Sequence, residues 1–491
     1  MPLSRERLVP LIVAVALFME QMDSTVIATA LPAIAADIGT NPLALKLAVT
    51  AYLLALAVFI PISGWMADRY GARTTFSTAI IIFVIGSVGC AFASTLWHFV
   101  IARFIQGMGG AMMTPVGRLV LMRTIEKSKL IDAMALVTMP ALVGPMVGPP
   151  LGGFITTYFS WHWIFIINVP IGALGFFLVT RFVENVRAEV PDPFDFIGMV
   201  LAGLAVTGLA FGLSVLGLGF LPYSVVAVLV VVGAISAVAY VAYARRTPTA
   251  VIDLSLFQLP TFRAGVAGGF LFRIGAGALP FLLPLLLQLG LGMNPFESGL
   301  ITLSTAIGAI AMKTMASRIL RRFGFRRTLT VNALLASSTL AACAAFGPST
   351  PVWVMVTVLL VGGLFRSLQF TSVNTIAFAE VEARRMSRAT SLVSVVQQIS
   401  ISTGVAVGAL IVETVLQLEG HSELSAPDFP PAFIIVSLIA ASSALLFWFL
   451  PPDAGAEMAV GHPQALEKPD ASDNDGPADH DGERRNPVAR R

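Results

Sequence analysis

The sequence contains few charged residues for its length. Asp, Glu, Lys and Arg make up only 12% of the 491 residues, whereas 56% are hydrophobic, and the mean hydropathy is +0.84. Soluble globular domains carry about 25% charged residues, so this composition excludes a soluble multi-domain protein. The chain is therefore expected to be an integral membrane protein.

Residues and motifs on which enzymes and metal sites depend are also scarce. The two cysteines, Cys90 and Cys343, lie in separate apolar runs, which excludes a disulfide framework. The five histidines do not cluster with acids at metal-ligand spacing, HExxH and GxSxG are absent, and no lysine follows the phosphate-binding pattern GxxxxG. We therefore expect no catalytic residue, metal or cofactor, and no ATP-driven pump. The net charge of +3 gives no indication of a nucleic-acid partner.

The sequence has instead a series of long apolar runs. Each is long enough to cross the hydrocarbon core of a bilayer as a helix, which takes about 20 residues. Fourteen such runs predict an all-α membrane protein with fourteen transmembrane spans. They cover residues 8–31, 44–66, 74–94, 97–121, 130–155, 161–180, 195–218, 221–243, 262–290, 296–317, 328–347, 351–378, 388–415 and 431–450. Residues 451–491 have almost no large apolar residues and are predicted to form a disordered cytoplasmic tail.

The distribution of positive charge predicts the orientation of the spans. Lys and Arg accumulate in the cytoplasmic loops of membrane proteins. With the N-terminus in the cytoplasm, twenty of the 31 Lys and Arg residues fall in cytoplasmic segments and one, Lys46, falls in an outer loop. The twenty are Arg5, Arg7, Arg69, Arg73, Arg123, Lys127, Lys129, Arg181, Arg187, Arg245, Arg246, Arg263, Arg318, Arg321, Arg322, Arg326, Arg327, Arg384, Arg385 and Arg388. This bias predicts a multi-pass protein of the cell inner (cytoplasmic) membrane with both termini in the cytoplasm.

A short motif occurs twice, between spans 2 and 3 as GWMADRYGAR (64–73) and between spans 10 and 11 as RRFGFR (321–326). The two copies align with an offset of 253 residues, which indicates a duplication. The predicted domains are an N-terminal six-helix bundle (1–190), two inserted helices (191–247), a C-terminal six-helix bundle (248–450) and the tail (451–491).

The residues of these two turns are gating candidates. A carboxylate at a helix end accepts hydrogen bonds from amides and arginines and so holds two helices together until the contact breaks; a solvated loop is the alternative. The candidates are Gly64, Asp68, Arg69, Gly71, Arg73, Arg321, Gly324 and Arg326.

Span 1 contains two acids, Glu20 and Asp23, on one helix face near the middle of the bilayer. A charge there costs about 2.5–3.5 kcal/mol on insertion scales, so the acids indicate a water-filled or protein-lined cavity. Proton coupling is one interpretation, and a salt bridge to a buried arginine is the other.

Span 5 contains ALVGPMVGPPLGGF, with seven Gly and Pro residues in an apolar run. A stripe of glycines at intervals of four lets a neighbouring helix approach to backbone contact, and interior prolines bend the helix. Either a rigid helix pair or a conformational element fits this pattern. The motif residues are Gly144, Pro145, Gly148, Pro149, Gly152 and Gly153.

Further polar residues lie inside spans 4, 9, 12 and 13. Polar side chains within a membrane usually face a cavity or a partner, so these are candidates for the substrate cavity. They are Arg103, Gln106, Arg273, Gln288, Arg366, Gln369, Asn374, Gln397 and Gln398.

Over residues 8–450 the chain resembles the major facilitator superfamily, in particular its fourteen-helix drug:proton antiporter branch of the EmrB/QacA type and, within it, MdtD-like multidrug transporters. Four motifs carry the resemblance: GWMADRYGAR, RFIQGMGGA on span 4, the glycine-proline motif of span 5 and MDSTVIATALP on span 1. The resemblance implies two six-helix bundles plus two inserted helices. It also implies conformational gating by the cytoplasmic motif, export as the direction of transport, with which the span 5 motif is associated, and proton coupling at Asp23.

The predicted function is therefore proton-coupled secondary active export, an antiport of small, drug-like or amphiphilic compounds by alternating access. Export of an anionic metabolite such as an organic acid is the alternative, because Arg273 and Arg366 favour an anion. The expected partners are the substrate, protons and membrane lipid; the sequence assigns no periplasmic adaptor.

Overall fold

A computed structural model of the protein describes residues 5–124, 130–185, 187, 195–215, 222–247, 254–382, 385–420, 423–452 and 454–455. Its regular elements are helices, and one long helix occupies each of the fourteen predicted spans. Their bounds are α1 Arg5–Val26, α2 Lys46–Tyr70, α3 Ala72–Ala91, α4 Leu96–Thr124, α5 Leu130–Tyr158, α6 Asn168–Phe182, α7 Phe196–Val215, α8 Tyr223–Ala244, α9 Pro260–Leu285, α10 Pro295–Phe323, α11 Phe325–Ala342, α12 Val352–Ala377, α13 Met386–Glu419 and α14 Pro430–Trp448.

Within the described residues, eleven helices are long and apolar enough to cross a membrane by length and composition. The other three predicted positions are also helical, at α4, α5 and α7. The predicted all-α membrane architecture is therefore confirmed. Cys90 and Cys343 are free and buried, as expected. The predicted tail falls almost entirely on residues that lie outside the described part of the chain.

Glycines with positive φ end α2 and α10 at equivalent places. Gly71 (φ 96°) ends α2 and begins α3, and Gly324 (φ 73°) ends α10 and begins α11. An L-residue with a side chain is strained at such φ values, whereas glycine is not. The sequence repeat is thus also a repeat of backbone geometry.

Helix packing repeats in the same way. In residues 5–182, α1 packs on α4, α5 and α6, and α4 packs on α2 and α3. In residues 260–448, α9 packs on α12, α13 and α14, and α12 packs on α10 and α11. Each pair recurs eight helices later, which is the arrangement expected of two duplicated bundles. We refer to these bundles as the N-half and the C-half.

Two pairs of helices join the halves: α5 packs on α10, and α2 packs on α13. The end of the bundle at which α1 begins is called proximal below, and the opposite end distal. A hydrogen bond at the distal end crosses between the halves, from Nε2 of Gln288 to the carbonyl of Thr29 (2.9 Å). The halves are therefore in contact at the distal end.

The inserted helices α7 and α8 form a pair that packs on one side of this assembly. Gly208 and Gly233 let their backbones meet, since a Cβ on either would overlap the other helix. At the proximal end of the pair, the Tyr243 hydroxyl donates to Oδ1 of Asp195 (2.6 Å). Helix α7 contacts both α2 and α13, so it lies along the seam between the halves.

Candidate functional site

Asp23 lies at the centre of a buried polar cluster in the N-half. Its Oδ2 accepts a hydrogen bond from Nη1 of Arg103 (2.8 Å), and its Oδ1 accepts from Gln106 Nε2 (2.9 Å) and Asn168 Nδ2 (2.7 Å). Both amides also donate to the Ser87 hydroxyl, at 2.7 and 3.2 Å. These five residues, here called the Asp23 cluster, come from α1, α3, α4 and α6.

The Asp23 cluster is closed to solvent in this conformation. Asp23 and Gln106 are fully buried, and Arg103 is 1% exposed. Removing one partner of a buried ion pair leaves an uncompensated charge and costs about 3–5 kcal/mol. The Arg103 guanidinium also lies 4.3 Å from the ring centroid of Tyr52, which adds a cation–π contact.

Glu20 is a second buried acid, one helical turn before Asp23. The Tyr52 hydroxyl donates to its Oε1 at 3.4 Å, while its Oε2 is buried and has no hydrogen-bond partner among the residues that the structure describes. Tyr52 therefore links Glu20 to the Asp23 cluster, because the same ring covers Arg103. A carboxylate oxygen buried in this way is costly when ionised.

Glycines on α3 and α4 bring the helices of the Asp23 cluster together. A Cβ on Gly86 would overlap the backbone of Gln106, and a Cβ on Gly107 would overlap the carbonyl of Tyr52. Gly109 meets the backbone of Phe83 in the same way. Close backbone approach between membrane helices depends on such small residues. The glycines of RFIQGMGGA thus fix the position of α4 and, with it, the positions of Arg103 and Gln106, which both lie on that helix.

The sequence offered Arg103 and Gln106 as cavity candidates and a salt bridge between a span 1 acid and a buried arginine as an alternative; in the structure both side chains bond to Asp23. Sequence reasoning did not select Ser87, Asn168 or Tyr52. Asn168 carried a usable signal, because an amide inside an apolar span usually has a polar partner. Ser87 and Tyr52 carried none, since single hydroxyls are common in membrane helices.

The glycine stripe of α5 packs against α1. Gly144 faces Gln21 and Met22, and a Cβ on Gly148 would overlap the hydroxyl of Thr25. A Cβ on Gly152 would overlap the carbonyl of Val26. Pro145 is half-buried beside this stripe. The stripe therefore fixes α5 on the helix that carries Glu20 and Asp23.

The other face of α5 meets the C-half. A Cβ on Gly153 would overlap the carbonyl of Pro295, and a Cβ on Gly299 would overlap the carbonyl of Pro149. The Thr29 hydroxyl donates to that same Pro149 carbonyl (3.3 Å). At the distal end, each half thus places a glycine against a backbone carbonyl of the other half.

The turn around Gly71 at the proximal end is held by Asn185, which follows α6. Its Nδ2 donates to the Tyr70 carbonyl (3.3 Å), and its Oδ1 accepts from the Thr74 amide (3.2 Å). A Cβ on Gly71 would overlap the Asn185 side chain. Sequence reasoning missed Asn185, because an asparagine in a loop carries no distinguishing signal.

The other gating candidates occupy the ends of α2, α3, α10 and α11. Asp68 is half-buried in the last turn of α2, and Arg69 is exposed beside it. Gly64 has open space where a Cβ would stand. In the second copy, the Arg326 guanidinium lies 5.3 Å from the ring centroid of Trp448 on α14. Arg73 is half-buried, Arg321 is exposed, and Gly324 has open space around it.

The polar candidates of the C-half separate into groups. Arg273 and Asn374 meet, with Nη2 donating to Oδ1 at 2.7 Å. Arg366 donates to the Thr305 hydroxyl at 3.4 Å. Gln369 is fully buried and bonds to Asn332 and the Leu329 carbonyl, so it holds α11 on α12.

The remaining candidates lie apart from these groups. Gln288 reaches across to the N-half at the distal end. Gln397 and Gln398 are half-buried on α13.

An ion pair that the sequence gave no reason to expect joins the halves at the distal end. Nζ of Lys46, at the start of α2, lies 3.3 Å from Oε2 of Glu413, near the end of α13. Lys46 is fully buried, and the Glu413 side chain is 11% exposed. The pair links residues 367 positions apart in the chain. Such a contact must break before the distal ends of α2 and α13 separate.

Two duplicated helical bundles, with buried charges inside and reciprocal contacts between them, define a multi-pass membrane transporter. Family comparison is more specific: the sequence model of the Major Facilitator Superfamily matches residues 13–258 and 265–475. The chain belongs to this superfamily.

Similar sequences agree with this membership. The chain is 38% identical over 469 residues to the multidrug resistance protein MdtD of Enterobacter sp. (strain 638), covering 93% of this chain and 97% of the relative. Against MdtD of Escherichia coli (strain K12 / DH10B) the identity is 37% over 457 residues, covering 91% and 96%.

Two solved structures share the fold. A D-xylose-proton symporter superposes with a TM-score of 0.64 at 15% identity, over 91% of this chain and 98% of the other. A bacterial homologue of the human lysosomal transporter Spinster, in an inward-facing and unoccupied conformation, gives 0.62 at 16% identity, over 94% and 100%. The fold is therefore the major facilitator fold, with two inserted helices.

Proposed function

We propose that the protein is a proton-coupled exporter of small, drug-like or amphiphilic compounds that works by alternating access. The observation that carries the proposal is the buried ion pair between Asp23 and Arg103, with two amides completing the shell of the carboxylate. The names of the MdtD relatives support multidrug export as the process.

Proton coupling follows from how the charge of Asp23 is held. The carboxylate is stable in this site only while Arg103 and the amides of Gln106 and Asn168 remain in place. These three partners belong to two other helices, α4 and α6, so a shift of α1 against α4 and α6 separates them from Asp23. Without these partners, the protonated form of Asp23 is more stable than the ionised form. Glu20, with one unpartnered oxygen, is the second candidate for carrying a proton.

Alternating access needs contacts at each end that form in turn. At the distal end the structure contains the Lys46–Glu413 pair and the reciprocal glycine contacts. We propose the turns around Gly71 and Gly324 as the corresponding proximal gate. The stripe of Gly144, Gly148 and Gly152 then moves α5 with α1, so that the proton site and the distal contact change together.

The proposed location is the inner membrane, with both termini in the cytoplasm. The excess of Lys and Arg in the proximal segments supports this orientation. The proposed domain boundaries are those of the sequence: residues 1–190, 191–247, 248–450 and 451–491. In this orientation the described conformation is closed to the outside.

A second candidate function is export of an anionic metabolite such as an organic acid. Arg273 and Arg366, both buried in the C-half, favour it. The N-half contributes the acids Glu20 and Asp23, so positive charge in the C-half is available to a substrate.

Proteoliposomes with an imposed pH gradient test the proposal. Native protein is expected to concentrate a fluorescent substrate against its gradient when the pH gradient is present. Asp23→Asn keeps the size and hydrogen bonding of the side chain but removes its charge, so concentrative transport should stop while downhill exchange continues. Asp37→Asn is the matched control, because the Asp37 side chain is 55% exposed at the distal end.

Three results distinguish the interpretations. Loss of concentrative transport alone supports coupling at Asp23. Poor folding of Asp23→Asn, with concentrative transport returning together with folding when Arg103→Gln is added, assigns Asp23 a structural role. Native-rate accumulation by Asp23→Asn transfers the coupling role to Glu20 or another group.

A further inference from the structure

The turn between α10 and α11 carries five arginines and is here called the arginine turn. They are Arg318, Arg321, Arg322, Arg326 and Arg327. Four of them are exposed, and Arg326 is half-buried. In the described part of the chain, no Asp or Glu forms an ion pair with any of the five. Like charges this close along the chain repel one another, so a negatively charged partner would stabilise the turn.

Aromatic rings hold three of these guanidinium groups at the turn. The Cζ atoms of Arg322 and Arg327 lie 5.8 and 5.9 Å from the ring centroid of Phe323. The Cζ atom of Arg326 lies 5.3 Å from the ring centroid of Trp448, at the end of α14. Each contact is a cation–π interaction. The rings therefore gather positive charge from the end of α10 and the start of α11 into one patch.

The equivalent turn of the N-half is less positive and is covered. With the offset of 253 residues, Asp68 stands where the C-half has Arg321, and the N-half turn has two arginines where the arginine turn has five. The side chain of Asn185 covers Gly71, whereas Gly324 has open space where a Cβ would stand. Among the described residues, the arginine turn therefore has no counterpart to the cover that Asn185 provides.

The chain that follows α14 returns to the arginine turn. It bends after the helix, where the Ala454 amide donates to the Pro451 carbonyl (3.1 Å). Gly455 is the last residue that the structure describes, and a Cβ on it would meet the Phe325 ring at 2.8 Å. Phe325 begins α11 and directly precedes Arg326. The next residues of the chain therefore start from a point beside the arginine turn.

Residues 456–483, here called the acidic segment, carry charge of the opposite sign. They contain eight Asp and Glu and one Lys, so their formal net charge is −7. The first acid, Glu457, follows Gly455 by two residues, and two extended residues span at most about 7 Å. Because the acidic segment is joined to the chain beside the arginine turn, its effective concentration there is on the order of millimolar.

We propose that the acidic segment docks on the arginine turn and thereby slows the proximal gate. Its carboxylates pair with the exposed guanidinium groups, whose planar N–H donors match a carboxylate. The arginine turn contains the gating candidates Arg321, Gly324 and Arg326, so the acidic segment has to leave before this turn contacts the N-half. Exposed ion pairs are individually weak, which lets the segment bind and leave. Docking is independent of transport, whereas its effect on the gate rests on the proposed function.

Cross-linking between introduced cysteines in the purified full-length protein tests the docking. Ser472→Cys lies in the acidic segment, and Ser317→Cys is at an exposed position next to Arg318. Thr74→Cys, exposed in the equivalent turn of the N-half, replaces Ser317→Cys in the control. At low salt, a short bis-maleimide is expected to join position 472 to position 317 about tenfold faster than to position 74. The two native cysteines are buried, so they should contribute little.

Charge variants separate ion pairing from chance contact. Arg321→Gln with Arg322→Gln should slow the cross-linking of positions 472 and 317, whereas the matched pair Arg69→Gln with Arg73→Gln should leave its rate unchanged. An ionic strength of about 1 M, at which the Debye length is about 3 Å, should abolish the preference for position 317. Equal rates at positions 317 and 74, or a preference that does not respond to salt, would overturn the proposal.

The bilayer offers another occupant for the arginine turn, an anionic phospholipid headgroup. Cross-linking in nanodiscs of phosphatidylcholine alone, and in nanodiscs that also contain phosphatidylglycerol, distinguishes the two occupants. A preference for position 317 in both kinds of nanodisc supports docking of the acidic segment. A preference that disappears when phosphatidylglycerol is present would assign the arginine turn to lipid and overturn the proposal.

Transport in proteoliposomes tests the effect on the gate. A variant that combines Asp470→Asn, Asp473→Asn and Asp475→Asn should export a fluorescent substrate severalfold faster than native protein at low salt, and the two rates should converge at high salt. Equal rates at low salt would reject the effect on the gate. Salt-dependent cross-linking in a native protein without gradient-driven export would support the docking and reject the exporter. Gradient-driven export without preferential cross-linking would do the reverse.

Discussion

The carboxylate of Asp23 and the guanidinium of Arg103 depend on each other because neither reaches solvent. Each is at most 1% exposed, and they lie 2.8 Å apart. Taking either charge alone into a low-dielectric interior costs more than burying the pair. Their contributions to folding are therefore coupled and can be measured together.

Arg103→Gln is expected to lower the free energy of unfolding by about 3–5 kcal/mol, since Asp23 is left as an unpaired buried charge. Adding Asp23→Asn should recover part of that loss. Chemical unfolding in detergent measures both effects, and Arg181→Gln, at an exposed position, is the control. Strict additivity of the two substitutions would show that the pair is not coupled.

The sequence predicted Asp23 and the neighbouring acid Glu20 but only part of their surroundings. Glu20 and Asp23 stand out because carboxylates are rare in apolar spans. Asn168 on α6 indicates only that it has some polar partner, and Ser87 on α3 indicates nothing, so neither local sequence identifies Asp23 as the partner. Their role depends on glycine contacts between helices, which a single sequence does not reveal.

At the scale of helices, glycine positions differ in how much space surrounds them. A Cβ on Gly152 would overlap the carbonyl of Val26, a backbone atom that cannot rotate away. A Cβ on Gly203 of α7 would meet only Val58, at an ordinary contact distance of 3.6 Å. Substitutions at these two positions should therefore differ in effect.

Gly152→Ala is expected to destabilise the protein by about 1–3 kcal/mol, the usual range for overpacking, because α1 and α5 must move apart. Gradient-driven transport should also fall. Gly203→Ala should leave both nearly unchanged. Thermal melting and proteoliposome transport provide the readouts, and equal melting temperatures for the two variants would contradict the packing role of the stripe.

The two proximal turns provide a second comparison. Gly71 and Gly324 both have positive φ, but only Gly71 is covered by a side chain, that of Asn185. Gly324→Ala should cost about 1–3 kcal/mol from backbone strain alone, because φ 73° with ψ 166° is a conformation that residues with a side chain rarely adopt. Gly71→Ala should cost more because it also displaces Asn185.

Asn185→Ala removes both hydrogen bonds to the turn. It should therefore destabilise the protein by about the amount by which the cost of Gly71→Ala exceeds the cost of Gly324→Ala. Thermal melting measures stability, and cysteine accessibility at the proximal side measures the gate. If Gly71→Ala and Gly324→Ala are equally destabilising, Asn185 does not hold the turn.

Fold prediction from the sequence worked at this scale for a physical reason. Hydropathy and charge bias locate spans because every backbone polar group in a bilayer must be bonded within its own helix. The Gly71–Gly324 repeat also indicated the duplication. The contacts of α7 with both halves were not predictable, because its apolar surface is alike on all sides.

At the scale of the whole molecule, the ion pair between Lys46 and Glu413 joins the two halves at the distal end. Lys46→Gln should weaken closure there and increase the population open at that end. The charge swap Lys46→Glu with Glu413→Lys should restore closure, because the pair can form in either sense.

A cysteine at Val49, one turn into α2 from Lys46, reports this change through a membrane-impermeant maleimide. The native Cys90 and Cys343 are buried, so background labelling is expected to be low. Lys46→Gln should raise the labelling rate, whereas Lys313→Gln should not. Unchanged labelling in Lys46→Gln would mean that the ion pair does not control the distal end.

The position of α7 bears on how a compound dissolved in lipid reaches the transporter. The halves meet along two seams, α2 with α13 and α5 with α10, and α7 covers the first because it contacts both α2 and α13. Acyl chains next to that seam meet α7 and α8 instead of the cleft. At the other seam α5 and α10 pack directly on each other, so a compound dissolved in lipid is expected to approach the halves on that side, once α5 and α10 part, and not on the side that α7 covers.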